Sequence, residues 1–259
     1  MTAADPAYRP VCVVTGSSSG IGAATAVWFA RQGYDVVVHC ARSLDAAERV
    51  AQQCRDVGAQ ALVLRADVAR DEDCKALADE VRRRWGRVDT LVNSAGMTTR
   101  FADLKDLDAL SCEDFQTTYR VNVIGVFQMS RAIAPLMRDR PGASIVNISS
   151  IGGRMGTGSS MAYAASKGAL NTLTLSLARA LAPGIRVNAL LPGLVNGDWM
   201  RNGLGAAAFE QRRQRYQSRA LLQSVIEFED VAAAAYWLAT GAFKSTGQLI
   251  DLEAGHVLG

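Results

Sequence analysis

The chain has 259 residues, 49% of them hydrophobic, and its 28 Lys and Arg against 25 Asp and Glu leave a net charge of +3. That size allows one large core, while the near balance of charge argues against a nucleic-acid surface, which carries a stronger basic bias. No apolar run approaches the ~20 residues that span a bilayer, so no membrane partner is expected.

The start, MTAADPAYRP, shows neither the apolar stretch of a signal peptide nor an arginine-rich transit pattern. The five cysteines (Cys12, Cys40, Cys54, Cys74, Cys112) are odd in number, scattered and never spaced C-x-x-C. They point to reduced thiols in a cytoplasmic protein. The two histidines, His39 and His256, lie far apart in sequence, so neither a metal site nor a serine-histidine hydrolase can be argued from them.

Short apolar runs alternate with helical patterns along the whole chain. Strands are expected near Val11–Thr15, Asp35–Cys40, Gln60–Arg65, Thr90–Asn93, Ala143–Ser149, Arg186–Leu191 and Gln248–Leu252, with helices between them. One doubly wound α/β domain over residues 1–259 follows. The first strand, VCVVT, runs straight into a helix that starts near Gly20 and stops before Gly33. Gly16, Gly20 and Gly22 let backbone approach a pyrophosphate and let the helix pack tightly, and the free amides of its first turn attract an anion. The spacing is G-x-x-x-G-x-G rather than G-x-G-x-x-G. Ser18, Ser19 and Ile21 complete this candidate cofactor loop.

Further along, the arginines of VRRRWGR read as the exposed face of a helix. Asn122 sits in a predicted long helix between Val121 and Val123, where a polar side chain needs a partner. Ser150 ends the apolar run SIVNISS, thirteen residues before Tyr163; strand alternation sends its neighbour Ser149 to the opposite face. Tyr163 and Lys167 stand one helical turn apart in MAYAASKGAL. A tyrosine hydroxyl loses its proton near pH ~10, and a nearby ammonium lowers that value. Ser150 can hydrogen-bond the carbonyl oxygen that Tyr163 protonates. These groups suit carbonyl reduction or alcohol oxidation, provided a hydride carrier binds beside them.

In this order, TGSSSGIG, NSAG, Asn122, Ser150, YAASK, PGLV and TGQ resemble the short-chain dehydrogenase/reductase family over nearly the full length. The resemblance implies a single Rossmann fold, a seven-stranded parallel sheet flanked by helices, with a substrate lid at about 195–226. It implies that Asp67, with Val68 beside it, binds the adenine, that Asn93, Ala95 and Gly96 flank the cofactor, and that Pro192, Gly193 and Val195 contact the nicotinamide. The resemblance further implies that Lys167 also bridges the nicotinamide ribose and that Asn122 holds a water linking that lysine to solvent. Cys40 stands where an acidic residue would select NAD, and Arg42 and Ser43 follow at once, which favours NADP(H) and leaves NAD(H) possible. Against this stands Ser19, where many NADP(H) users carry a basic residue.

The chain departs from the family pattern at Gly197, where relatives have a threonine touching the carboxamide, and in NSAG and EAG. A small carbonyl or alcohol substrate is expected. A 3-oxoacyl carrier-protein reductase is an alternative, weakened by Pro183 where such enzymes carry a basic residue; a non-catalytic dinucleotide sensor is another. Trp199, Met200, Leu204, Phe209 and Tyr216 hint at an apolar substrate pocket. A homotetramer is expected through the helices bearing Asn122 and Tyr163, with Gly125, Val126, Met129, Ala169, Leu173 and Leu177 at the contact.

Overall fold

The computed structural model describes residues 8–259, so the reading of the chain's first seven residues as lacking a leader lies outside the described residues. Strands β1 (Val11–Thr15), β2 (Asp35–Cys40), β3 (Ala61–Arg65), β4 (Thr90–Asn93), β5 (Ser144–Ile148), β6 (Arg186–Pro192) and β7 (Leu249–Leu252) form one parallel sheet in the order β3-β2-β1-β4-β5-β6-β7. Between them run α1 (Gly20–Arg31), α2 (Leu44–Asp56), α3 (Asp71–Trp85), α4 (Cys112–Tyr119), α5 (Val126–Ile133), α6 (Gly152–Met155), α7 (Met161–Leu181), α8 (Asp198–Leu204), α9 (Ala206–Arg219) and α10 (Phe228–Thr240). None is long and apolar enough to cross a membrane among the described residues. All five cysteines are free thiols.

Strands β1, β2, β4 and β5 are buried end to end, and β6 from Val187 onward, because both faces are covered, while the edge strands β3 and β7 are only half-buried. Cys12, Val14, Val36 and Val38 enter a core with Phe29, Ala47 and Leu238. Their neighbours Val13 and Val37 enter the opposite core with Leu77, Met129 and Ile133. Runs without a polar face are what a doubly covered parallel sheet requires. Each fully buried Val or Leu contributes about 1.5–3 kcal/mol, so burial on these two faces, more than helix propensity, holds the layers. The expected strands match to within a residue at each end. Gln60, for example, still gives its carbonyl to the Val36 amide just outside β3.

The expected long helix around Asn122 is interrupted. Six residues, Arg120–Gly125, form a π-helical turn between α4 and α5. Gly125 presses against Val68 there: a Cβ on it would stand 2.8 Å from Val68 Cγ2 and 3.1 Å from the Val68 carbonyl oxygen. Arg82, Arg83 and Arg84 are exposed on α3, the first two paired with Asp79 and Glu80.

One expectation is corrected by this packing. Val126, Met129 and Leu177, expected at a contact between subunits, are buried in the chain's own core, and Gly125 is spent on Val68. Ala169 and Leu173 are half-buried. That side of each helix faces the sheet. The apolar side chains these helices leave exposed are Phe115, Ile124, Phe127 and Leu175.

Candidate active site

The order of the sheet reverses between β1 and β4, and ligands of open α/β sheets bind at the carboxyl ends of strands beside such a reversal. β1 turns into α1 through Gly16 (φ +65°) and Gly20 (φ +55°), both left-handed. A Cβ on Gly16 would come within 2.8 Å of Ala95 Cα, and one on Gly22 within 2.8 Å of the Gly16 carbonyl carbon. The glycine spacing is therefore demanded by the loop's own packing. Ser18, Gly20 and Ile21 are half-buried and Ser19 is exposed. Ser19 makes no side-chain cap, and no acidic residue occupies the first turn of α1. The helix N-terminus keeps its unsatisfied amides and positive dipole end available to an anion.

His39 fixes this loop, a role its isolated place in the sequence did not reveal. Its Nδ1 accepts from the Gly16 amide at 2.8 Å, and its Nε2 lies 2.9 Å from the Ala66 carbonyl oxygen. Its own amide donates to Ser17 Oγ at 2.8 Å, and its carbonyl accepts from the Ser17 amide at 2.9 Å. Accepting at Nδ1 makes the ring neutral with the proton on Nε2. Burial accordingly holds its pKa below the ordinary histidine value.

At the end of β2, Cys40 is buried while Arg42 and Ser43 are exposed. Neither exposed side chain has a hydrogen-bond partner among the described residues. Beyond β3, exposed Asp67 accepts from the Ala69 amide at 3.0 Å, a turn ahead of α3, and Val68 is buried. The Asn93 side chain turns into the protein rather than toward the cleft. Its Nδ2 donates to Asn147 Oδ1 at 2.9 Å and Ser130 Oγ at 3.2 Å, tying β4 to β5 and α5. Asn93 Oδ1 has no partner among the described residues. Thr15 Oγ1 accepts from the Ser94 and Ala95 amides at 3.0 Å each, which carries the chain past Gly96. Pro192 is buried, Gly193 is tied by its amide to the Leu252 carbonyl at 2.8 Å, and Val195 forms a parallel bridge with Ile226 that closes the segment between them at its base.

The four groups read as catalytic converge around the end of β5. Ser150 is half-buried, and its Oγ accepts from the Gly152 amide at 3.1 Å, leaving its own proton free to be donated. Ser149 faces away, its Oγ 2.7 Å from Asn171 Oδ1 on α7. α7 is capped by Ser160, whose Oγ accepts from the Tyr163 amide at 3.1 Å, so the tyrosine lies in the first turn and Lys167 in the second. Lys167 is buried, with its Nζ donating to the Ile148 carbonyl at 2.8 Å. Asn122 is fully buried in the π-helical turn. Its Oδ1 accepts from the Met97 amide at 2.8 Å and its Nδ2 donates to the Met97 carbonyl at 2.9 Å and to Ser166 Oγ at 3.0 Å. A Cβ on Gly96 would meet Asn122 Oδ1 at 3.5 Å and Lys167 Nζ at 3.6 Å, so both groups border the space that the glycine leaves open.

The electrostatics correct one expectation. Burial pushes the Tyr163 hydroxyl up to about 12, and the hydrogen bond with Ser150 pulls the other way. Burial outweighs the lowering expected from the neighbouring ammonium. Burial brings the lysine down to about 8, and one of its three N–H donors goes to the Ile148 carbonyl, with Nζ 5.6 Å from the centre of the Tyr163 ring. Desolvation outweighs helical proximity here.

Residues 195–226 form a flap of two helices, α8 and α9, separated by Gly205 at φ +83°. Phe209 and Tyr216, expected to line a pocket, are buried with Ile151, Ala189 and Leu194, and so anchor the flap to the sheet. Trp199 does face the site: it is 46% exposed and its ring centre lies 5.5 Å from that of Tyr163 and 5.4 Å from that of Phe101. Gly197 is explained by Phe228, whose Cε1 would stand 2.8 Å from a Cβ there. A threonine has no room in this chain.

Residues 10–205 match the family model described as short chain dehydrogenase. Ketoacyl reductase 2 of the granaticin polyketide synthase from Streptomyces violaceoruber is 38% identical over 99% of this chain and 100% of its own length. The 3-oxoacyl-[acyl-carrier-protein] reductase FabG of Staphylococcus epidermidis is 35% identical, covering 94% of this chain and 97% of that one. A solved short-chain dehydrogenase/reductase from Burkholderia xenovorans superposes with a TM-score of 0.89 at 46% identity, over 97% of this chain and 99% of that chain. With the sheet order, the glycine loop and the Ser150–Tyr163–Lys167 cluster, these likenesses place the chain in the short-chain dehydrogenase family, as an oxidoreductase acting on CH–OH or carbonyl groups.

Proposed function

We propose that the protein is an NADP(H)-dependent reductase or dehydrogenase that interconverts a ketone or aldehyde and its alcohol, with Tyr163 as general acid and base. The observation that carries this reading is the Ser150–Tyr163 hydroxyl pair beside buried Lys167. The residues present fit the cofactor: the uncapped N-terminus of α1 suits a pyrophosphate, and Arg42 and Ser43, exposed and unpartnered among the described residues, suit a ribose 2'-phosphate. Asp67, Val68, Ala95, Gly96, Pro192, Gly193 and Val195 border the remaining length of that site. When bound, the nicotinamide supplies or accepts the hydride.

The chain's own groups handle the oxygen and the proton. Ser150 and Tyr163 donate hydrogen bonds to the carbonyl oxygen and polarise it. As negative charge grows on that oxygen, Tyr163 gives up its proton. Its high pKa suits the acid role, and the reverse reaction needs the tyrosinate stabilised, for which Lys167 is the nearest cation. Both Asn122 Nδ2 hydrogens are engaged, so any water it holds for Lys167 must sit on a remaining oxygen lone pair. The whole chain acts as one cofactor-binding domain, with 195–226 as its lid.

Tyr163→Phe tests the mechanism. Turnover should fall about 10²- to 10⁴-fold with cofactor affinity nearly intact, and near-normal turnover would sink the reading. A screen of ketones, aldehydes and alcohols with both NAD(H) and NADP(H) identifies the substrate class. A 3-oxoacyl thioester belongs in that screen because two similar proteins are named as reductases of such groups. Assembly as a homotetramer in the cytoplasm completes the proposal, with exposed Phe115, Ile124, Phe127 and Leu175 as the contact surface.

A further inference from the structure

The arginine-rich stretch QRRQRYQSR lies on α9 of the flap, and its arginines do different things. Arg213 is paired with Glu210 at 2.7 Å. Arg212 is not paired with any carboxylate among the described residues. It occupies the inward stripe of the helix, three residues after buried Phe209 and four before buried Tyr216. It is half-buried, and its single hydrogen bond is a long one, from Nη2 to the Gly158 carbonyl at 3.5 Å. Desolvation depresses its pKa. A solvated surface arginine would show neither the burial nor the inward placement.

The carbonyl that Arg212 reaches belongs to the wall of the active site. Gly158 (φ +140°) lies against the tyrosine, where a Cβ on it would stand 3.1 Å from Tyr163 Cδ1. The next residue, Ser159, is buried and its hydroxyl lacks a partner among the described residues. A guanidinium carries five donors in a planar fork that matches an oxyanion, and here nearly all of them are uncommitted beside the reacting tyrosine. A half-buried cation with so few partners is a place where an anionic group gains attraction at little further desolvation cost.

We propose that Arg212 anchors the substrate: it receives a carboxylate or phosphate carried by the same molecule whose carbonyl or hydroxyl meets Tyr163. This rests on the Tyr163 site being the reacting one, and it names the substrate class as an anionic keto or hydroxy compound. A neutral 3-oxoacyl thioester offers Arg212 nothing but carbonyl oxygens.

The test compares matched pairs: acetoacetate and levulinate against their methyl esters, and dihydroxyacetone phosphate against dihydroxyacetone. The wild type should favour the charged member of one pair by about tenfold or more in kcat/KM, as hydrogen bonds to charged groups imply, and the pair that shows it separates carboxylate from phosphate. Arg212→Gln should bring that ratio toward one while leaving the neutral member and the cofactor Kd within about twofold. Arg212→Lys should keep part of the preference, and Arg213→Gln all of it. A wild-type ratio near one, an equal loss on both members of a pair, or a loss of cofactor affinity in Arg212→Gln overturns the proposal. Calorimetric titration of the same probes into cofactor-saturated protein keeps the question independent of turnover. Charged probes that bind only when Arg212 is present, yet are not turned over, uphold the anchor and count against the catalytic reading. Binding indifferent to Arg212, or none, overturns the anchor.

Discussion

His39→Leu should destabilise the protein and loosen the nucleotide loop, although the residue touches neither substrate nor lid. The imidazole ties two segments to β2, the loop after β1 through the Gly16 amide at 2.8 Å and the end of β3 through the Ala66 carbonyl at 2.9 Å, and the His39 backbone amide adds a bond to Ser17 Oγ. Leucine fills similar space but leaves the Gly16 N–H and the Ala66 oxygen without these partners. Each stranded group costs about 1–3 kcal/mol, so the expected loss is about 2–6 kcal/mol. At about 2–4 °C per kcal/mol for a large domain, that lowers Tm on the order of 4–24 °C. The same bonds give the wild type an acid slope. Burial lowers the folded pKa of His39 below 6.5, so under acid conditions the unfolded chain binds a proton that the folded chain refuses. Its stabilising contribution is therefore complete above about pH 6.5 and declines as pH falls below that value, until the folded pKa is reached. Thermal melts by circular dichroism at pH 7.5 and across the acid range read both effects. His39→Gln, which can still accept and donate but does not titrate, should recover part of the Tm without the acid slope. A His39→Leu protein that melts with the wild type at neutral pH, or keeps the wild-type acid slope, would refute the reasoning.

Three further outcomes follow from the same geometry. Gly22→Ala gains about 1 kcal/mol of intrinsic helix propensity but drives a Cβ to 2.8 Å from the Gly16 carbonyl carbon and 2.9 Å from Ser17 Cα; cofactor Kd, read by nicotinamide fluorescence, should rise at least tenfold, and an unchanged Kd with a raised Tm contradicts this. Arg42→Asp should move kcat/KM from NADP(H) toward NAD(H), because an anion replaces the cation available to the 2'-phosphate, and a wild type that already prefers NAD(H) counts against the assignment of Arg42. Light scattering at micromolar concentration should give a tetramer mass that Phe127→Glu lowers; a monomeric wild type dismisses the contact surface without touching the catalytic site.

The resemblance carried by TGSSSGIG, YAASK and their companions named the family, and the apolar runs placed all seven strands, because the central strands, covered on both faces, must be mostly apolar and helices between them must not be. Local spacing also put Tyr163 and Lys167 on one helix and set Ser150 apart from Ser149, since helix and strand periodicities are properties of neighbours in sequence. What each of those groups experiences was beyond local reach. That burial outweighs the nearby ammonium at Tyr163, and that Lys167 reaches the Ile148 carbonyl nineteen positions away, depend on how the chain packs. That Gly125, Met129 and Leu177 serve the chain's own core depends on which side of each helix meets the sheet, and periodicity gives a stripe without saying what covers it. His39 and Arg212 show the same limit most plainly. One is a histidine isolated in the sequence and the other one of several arginines in QRRQRYQSR, and only the folded chain brings Gly16 to the first and Gly158, fifty-four positions away, to the second. A partner distant in sequence leaves no local pattern, and the packing of the folded chain alone supplies it.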